Sequence, residues 1–151
     1  MTCTPEQWNN GQDALWRHWT DWTPFNAELG GALPQPGAYV LGLKRNGRPA
    51  TIYRLLGIDK SGTLDIGQTT NLKVRLHKLW RCVSADDVRG HSAGWRYRDL
   101  RLHERLGGEL QISWRNDPNC YALEGATMKA YVEAFGELPP LNYSYNRSAH
   151  R

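Results

Sequence analysis

The chain has 151 residues, 40% hydrophobic and 23% charged, a length near that of one domain and a composition too apolar for a disordered tail. No apolar run approaches the roughly 20 residues that cross a bilayer, and the opening MTCTPEQWNN lacks the basic and then apolar layout of a secretory leader, so a soluble, cytoplasmic protein without membrane contact is expected. The formal charge is +4, and ten bases face five acids between residues 73 and 115; fourteen of the nineteen bases are Arg, whose planar fork suits phosphate oxygens, so a polyanionic partner is the first expectation.

From Glu6 to Phe25 the residues Leu15, Trp16, Trp19 and Trp22 fall at helical spacing and predict one amphipathic helix whose tryptophans form a packing face. Residues 29–37, rich in Gly and Pro, read as a linker, so 1–36 form an N-terminal Trp-rich helical extension and the main fold begins at Gly37. There the period becomes two, with Tyr39, Leu41 and Leu43 on one face of a strand. Asn46-Gly47 is a hairpin signal, and Thr51 to Ile58 is expected to return as the partner strand. A turn at Asp59 to Gly62 leads to a third strand, Thr63 to Gly67, with Leu64 and Ile66 on one face and Asp65 on the other. A helix follows Asn71, with Leu72, Leu76, Leu79 and Val83 in its stripe. Residues 84–93 read as loop, 94–106 as a second Arg-dense helix, and Leu110, Ile112 and Trp114 as a short strand. Asp117-Pro118 opens a last helix that Gly136 stops, and 143–151 read as a flexible tail. Cys3, Cys82 and Cys120 lack metal or redox spacing and are expected to be reduced bystanders.

Several residues break these patterns. Arg75 stands inside the apolar stripe of its helix, where an unpaired cation is costly and calls for an anion or a ligand. Glu124 joins Met128, Tyr131 and Phe135 in the stripe of the last helix. Tyr39 lies on an inward strand face, Asp65 in a short strand, and Asn142 after the stiff Leu138-Pro-Pro-Leu turn. An inert structural ion pair between Arg75 and Glu124 is the bland alternative.

The order and spacing of these exceptions resemble the GIY-YIG nuclease domain. Gly37-Ala38-Tyr39 stands for its first motif, Asp65-Ile66-Gly67 for its second, with Arg75 ten residues beyond, and then Glu124 in ALEGATMKAYVEAFGELPPLN with Asn142 closing it. The resemblance covers residues 37–142. It implies an α+β fold with a small three-stranded antiparallel sheet flanked by helices, and metal-dependent hydrolysis of nucleic-acid phosphodiesters. By position, Glu124 would bind Mg²⁺ or Mn²⁺, Arg75 would neutralise charge on the scissile phosphate, and Tyr39 would position or deprotonate the attacking water. His91 resembles a position where family members often carry histidine. A phenol is a poor base at neutral pH unless a cation lowers its pKa, so Tyr39 depends on Arg75 or the metal.

Asp65 stands where the second motif normally has tyrosine, and three roles stay open for it: second metal ligand, hydrogen-bond partner of Tyr39, or a charge that repels substrate and marks a weakened enzyme. Lys73, Arg75, Lys78, Arg81, Arg96 and Arg98 are the expected nucleic-acid contacts, with DNA favoured over RNA as partner. Without a reading domain such a unit should show little sequence preference, because phosphate contacts carry none. The alternative function is a catalytically weakened domain that binds nucleic acid or protein without cutting.

Overall fold

In chain order the elements are α1 (Pro5–Asn10), β1 (Thr23–Pro24), β2 (Gly37–Arg45), β3 (Arg48–Pro49), β4 (Ile52–Tyr53), β5 (Ile58–Asp59), β6 (Thr63–Thr69), α2 (Leu72–Ser84), α3 (Ser92–Asp99), α4 (Leu102–Arg105), β7 (Glu109–Asn116) and α5 (Cys120–Phe135), with 3₁₀ turns at Ala14–Trp16 and Leu29–Gly31. They come from a computed structural model that describes residues 2–11, 14–85 and 89–143. The expected tail at 144–151, and residues 86–88 of the expected loop, lie outside the described residues. Among the described residues no helix is long and apolar enough to cross a membrane.

The fold is α+β. β2 is the central strand of a five-stranded antiparallel sheet, paired with β7 on one edge and β6 on the other, while β1 adds to β7 and β3 pairs with the end of β2. The sheet therefore has five strands where three were expected, and one of its three long strands is not the predicted segment. Asn46 (φ 52) and Gly47 (φ 77) make the tight turn, and pairing runs as far as Ala50, whose N–H donates to the Leu43 carbonyl, but the Leu43 N–H is taken by the Gly62 carbonyl. The chain leaves β2 there, and Ile52–Tyr53 pairs with Ile58–Asp59 in a separate two-stranded sheet. β7, expected as an additional short strand, is the third long member.

A buried carboxylate steers the chain into β6. Asp59, fully buried, accepts hydrogen bonds from the backbone N–H of Ser61 and Thr63 and from the hydroxyls of Ser61 and Tyr131. Those four donors offset part of the cost of burying its charge, and burial still raises its pKa. Along β6 the register with β2 slips by one residue between Leu41↔Asp65 and Gly42↔Thr63, a β-bulge at Leu64. Because of it Leu64 and Asp65 both face the side of Leu41, while Ile66 joins Val40 on the other side. The strict alternation expected for this strand is thereby corrected.

Two apolar layers cover the sheet. On one face Leu72, Leu76, Leu79 and Val83 of α2, with Ala93 and Tyr97 of α3, pack on Tyr39, Leu41, Leu43, Leu64 and Ile112. On the other, Met128, Tyr131, Ala134 and Phe135 of α5 pack on Val40 and Ile66, together with Trp8 of α1. The Trp-rich segment is not one helix. A capping box between Thr4 and Gln7 starts α1, and Gly11, left-handed at φ 63, ends it after six residues. Ala14–Trp16 then forms a 3₁₀ turn, and Thr20 binds β7 through its carbonyl to the Ser113 hydroxyl and its own hydroxyl to the Trp114 N–H. The tryptophans do pack: Trp8 meets Trp16 and Tyr131 edge to face at 4.7 and 5.0 Å. The expected helix over 94–106 is broken at Arg101, whose φ of 55 is left-handed. Asn119 rather than Asp117 caps α5.

Candidate functional site

Tyr39 stands on the α2 face of β2, directly opposite Gly67 of β6. A Cβ on residue 67 would lie 2.3 Å from the phenol oxygen and 2.4 Å from the ring carbon that bears it. Only glycine leaves room for that ring to lie across β6 toward the sheet edge. α2 begins three residues after β6, with the Asn71 side chain accepting from the Val74 N–H. Its first turn presents Arg75. His91 caps α3: its Nδ1 accepts from the Gly94 N–H at 3.3 Å, and its Nε2 lies 2.6 Å from the Tyr39 hydroxyl. Glu124 comes from the first two turns of α5, in the opposite layer. β6 is an edge strand, and both layers reach the cavity there. Asn142 completes the edge as a substitute strand, its Oδ1 accepting from the Ile66 N–H at 3.0 Å and its Nδ2 donating to the Ile66 carbonyl at 2.9 Å.

Tyr39, Asp65, Arg75, His91, Glu124 and Asn142, the six site residues expected from sequence, all line this single cavity of about 230 Å³. Arg75 is half-buried; among the described residues its Nε–H has no hydrogen-bond partner, its Nη1 approaches the Gly90 carbonyl at 3.5 Å, and its guanidinium also hydrogen-bonds the Tyr39 hydroxyl. Among the described residues no ion pair joins Arg75 to Glu124, so the inert-pair alternative is not what the fold contains. An unsatisfied guanidinium donor at a polar cavity is a ready seat for an anion.

The proton inventory follows from burial. Desolvation, aided by the Arg75 charge, lowers the His91 pKa to about 3, so the imidazole is neutral. Because its Nδ1 is an acceptor, Nε2 carries the proton and donates to the Tyr39 oxygen. The phenol keeps its own proton: burial, with the nearby Asp65 charge, raises its pKa above the ordinary value, and Arg75 opposes this without winning. Arg75 alone therefore does not make Tyr39 a base, because desolvation outweighs the guanidinium. Asp65 is raised to about 7, by burial first, with Arg75 opposing, Glu124 reinforcing and a hydrogen bond from Tyr39 lowering it. Burial raises Glu124 as well.

The donor chemistry decides what could be held. Among the described residues no three of His, Cys, Asp and Glu cluster as a metal cage. What the cavity offers is the Glu124 and Asp65 carboxylates, oxygen donors of the number a hard ion takes when it keeps most of its waters. Asn142, with both ends of its amide bound to Ile66, is a positioning residue.

The expected nucleic-acid residues divide. Arg75 lines the cavity, and Arg96 acts on it, lowering the Asp65 pKa. Lys73, Lys78 and Arg81 are exposed on α2 outside the lining, and Arg98 turns its guanidinium toward the Val83 carbonyl of α2. Sequence reasoning assigned no role to Ser92 or Tyr143, which also line the cavity, and it missed the steric role of Gly67. The signal for Gly67 was its place opposite Tyr39, visible only once the strand register is known. No protein-family model matches the chain, and no curated protein or solved structure matches it.

Proposed function

We propose that the protein is a divalent-metal-dependent endonuclease that hydrolyses nucleic-acid phosphodiesters, DNA before RNA, with little sequence preference of its own, and that residues 37–142 are a GIY-YIG-like domain. One observation carries this reading: a tyrosine, a guanidinium and a carboxylate, from three elements far apart in sequence, line one polar cavity at a sheet edge. Glu124 would hold the ion, Mg²⁺ or Mn²⁺. When bound, that ion supplies Lewis-acid stabilisation of charge building on the phosphate oxygens. Arg75 donates its Nε–H to a non-bridging phosphate oxygen, an interaction that strengthens as the oxygen gains charge. The Tyr39 hydroxyl, held by His91, orients the attacking water. Asp65, which lines the same cavity, takes the water's proton as the water oxygen bonds to phosphorus and the ester P–O bond breaks, the leaving oxygen being protonated by solvent.

The test is incubation of the purified protein with plasmid, single-stranded DNA and RNA plus Mg²⁺ or Mn²⁺, beside Glu124→Ala and Arg75→Ala controls. Metal-dependent nicking that both substitutions abolish is the expected result. The second reading, binding without cutting, draws on Asp65, a carboxylate on the wall meant for a phosphate. Salt-sensitive binding with no cleavage of any substrate would select it and end the nuclease reading.

A further inference from the structure

Two arginine–aromatic pairs adjoin the site. The Arg89 guanidinium lies over the Trp95 ring, 5.0 Å from its centroid. Arg96 lies over the Tyr143 ring at 4.2 Å, and Tyr143, 59% exposed, lines the site cavity itself. Trp95 walls a second cavity of about 290 Å³, lined with Arg89, Gly90, His91 and Ser92. The two cavities share His91 and Ser92, so a strand whose phosphate meets Arg75 has a route to Trp95 past the cap of α3.

This arrangement is of little use to a duplex, whose bases are stacked and paired inside the helix and present phosphates outward. Ring faces matched with guanidinium planes instead suit splayed bases, since every base has a π-face and stacking on it is tolerant of sequence. Resting on the nuclease reading above, we propose that the substrate is single-stranded or locally unpaired nucleic acid. The nucleotide beside the scissile phosphate leaves the stack and seats its base against Trp95, and Tyr143 supports its neighbour on the other side. Arg89 and Arg96 then serve twice, as stacking planes and as counter-charges to the flanking phosphates.

The test uses full-length Glu124→Gln protein, to separate binding from cutting, with oligonucleotides carrying the fluorescent base 2-aminopurine, as single-stranded DNA, single-stranded RNA and the corresponding duplex. The expectation is single-strand affinity at least about tenfold above duplex, with base fluorescence quenched on binding. Trp95→Ala should lose about tenfold on single strands and change duplex binding little, Trp95→Phe should restore most of it, and Tyr143→Ala should give a smaller loss in the same direction. Equal or tighter duplex binding, or unchanged single-strand affinity in Trp95→Ala, would overturn the proposal. The two claims fail separately. Trp95-dependent quenching by a wild-type protein that cuts nothing removes the nuclease and keeps the stacking site; Glu124-dependent cleavage indifferent to Trp95 does the reverse.

Discussion

At Gly67 one missing methyl decides where the Tyr39 phenol goes. Gly67→Ala places a Cβ 2.3 Å from the hydroxyl, and because the atoms met belong to a buried ring, the ring must move. Overpacking of this kind costs about 1–3 kcal/mol. A lower Tm together with loss of turnover is expected, and a variant with wild-type activity would show that Tyr39 has no fixed place in the chemistry. Tyr39→Phe is the complementary change, keeping the ring and deleting the oxygen that His91 Nε2–H bonds. Turnover should fall by about a hundredfold with about 1 kcal/mol of stability lost, read by single-turnover cleavage and urea melts. Glu124→Gln keeps shape and removes charge; it should abolish metal-dependent cleavage while nucleic acid still binds, and an active Glu124→Gln would remove Glu124 from the mechanism.

Among the elements, β6 holds the most of the site and is an edge strand, paired among the described residues with β2 alone. Its free edge is closed by the Leu141 N–H to the Leu64 carbonyl and by both ends of the Asn142 amide to Ile66. Asn142→Ala should therefore cost about 1–3 kcal/mol, because a buried backbone donor and acceptor lose partners, and activity should drop with it; melts and rates that match wild type would show the edge is held by something else. The same strand marks the limit of what sequence makes legible. Arg75 and Glu124 stand out because a charge inside an apolar helical stripe needs a reason, and that reason survives translation into three dimensions. Tyr39 is visible only through their company. The β-bulge that turns Leu64 to the same side as Asp65 is not visible, since a bulge is a property of two strands and the alternation of one strand hides it. Nor is the failure of 51–58 to pair with β2, which follows from competition with β6 and the turn before it for one edge. The Trp spacing resembled a helix, but Gly11 stops α1, and the rings converge from turns and extended chain onto α5 instead.

For the molecule as a whole, the site is a place where stability is given up. Asp65 titrates near 7 in the folded chain against about 3.9 for an unfolded aspartate. The native state therefore binds its proton more tightly, and this contribution is full below about pH 4 and lost as pH rises through 7. His91 has the opposite sign. Its folded pKa of about 3 lies below an unfolded value near 6.5, so its contribution is present above 6.5 and lost as pH falls toward 3. The two are separable because Asp65→Asn removes only the first. In the presence of a chelator, so that no divalent ion repays the carboxylate, Asp65→Asn should be more stable than wild type at pH 8 by more than about 1.4 kcal/mol, the equivalent of one pKa unit, and the gain should shrink toward zero near pH 4. In the cleavage assay the same variant should lose the rise in rate through neutral pH that proton acceptance by Asp65 requires. Melts across pH of both proteins check the first expectation. A stability difference that does not change with pH would show that this carboxyl is not carrying the cost of burial, and a rate profile shared by both proteins would take the water's proton away from Asp65.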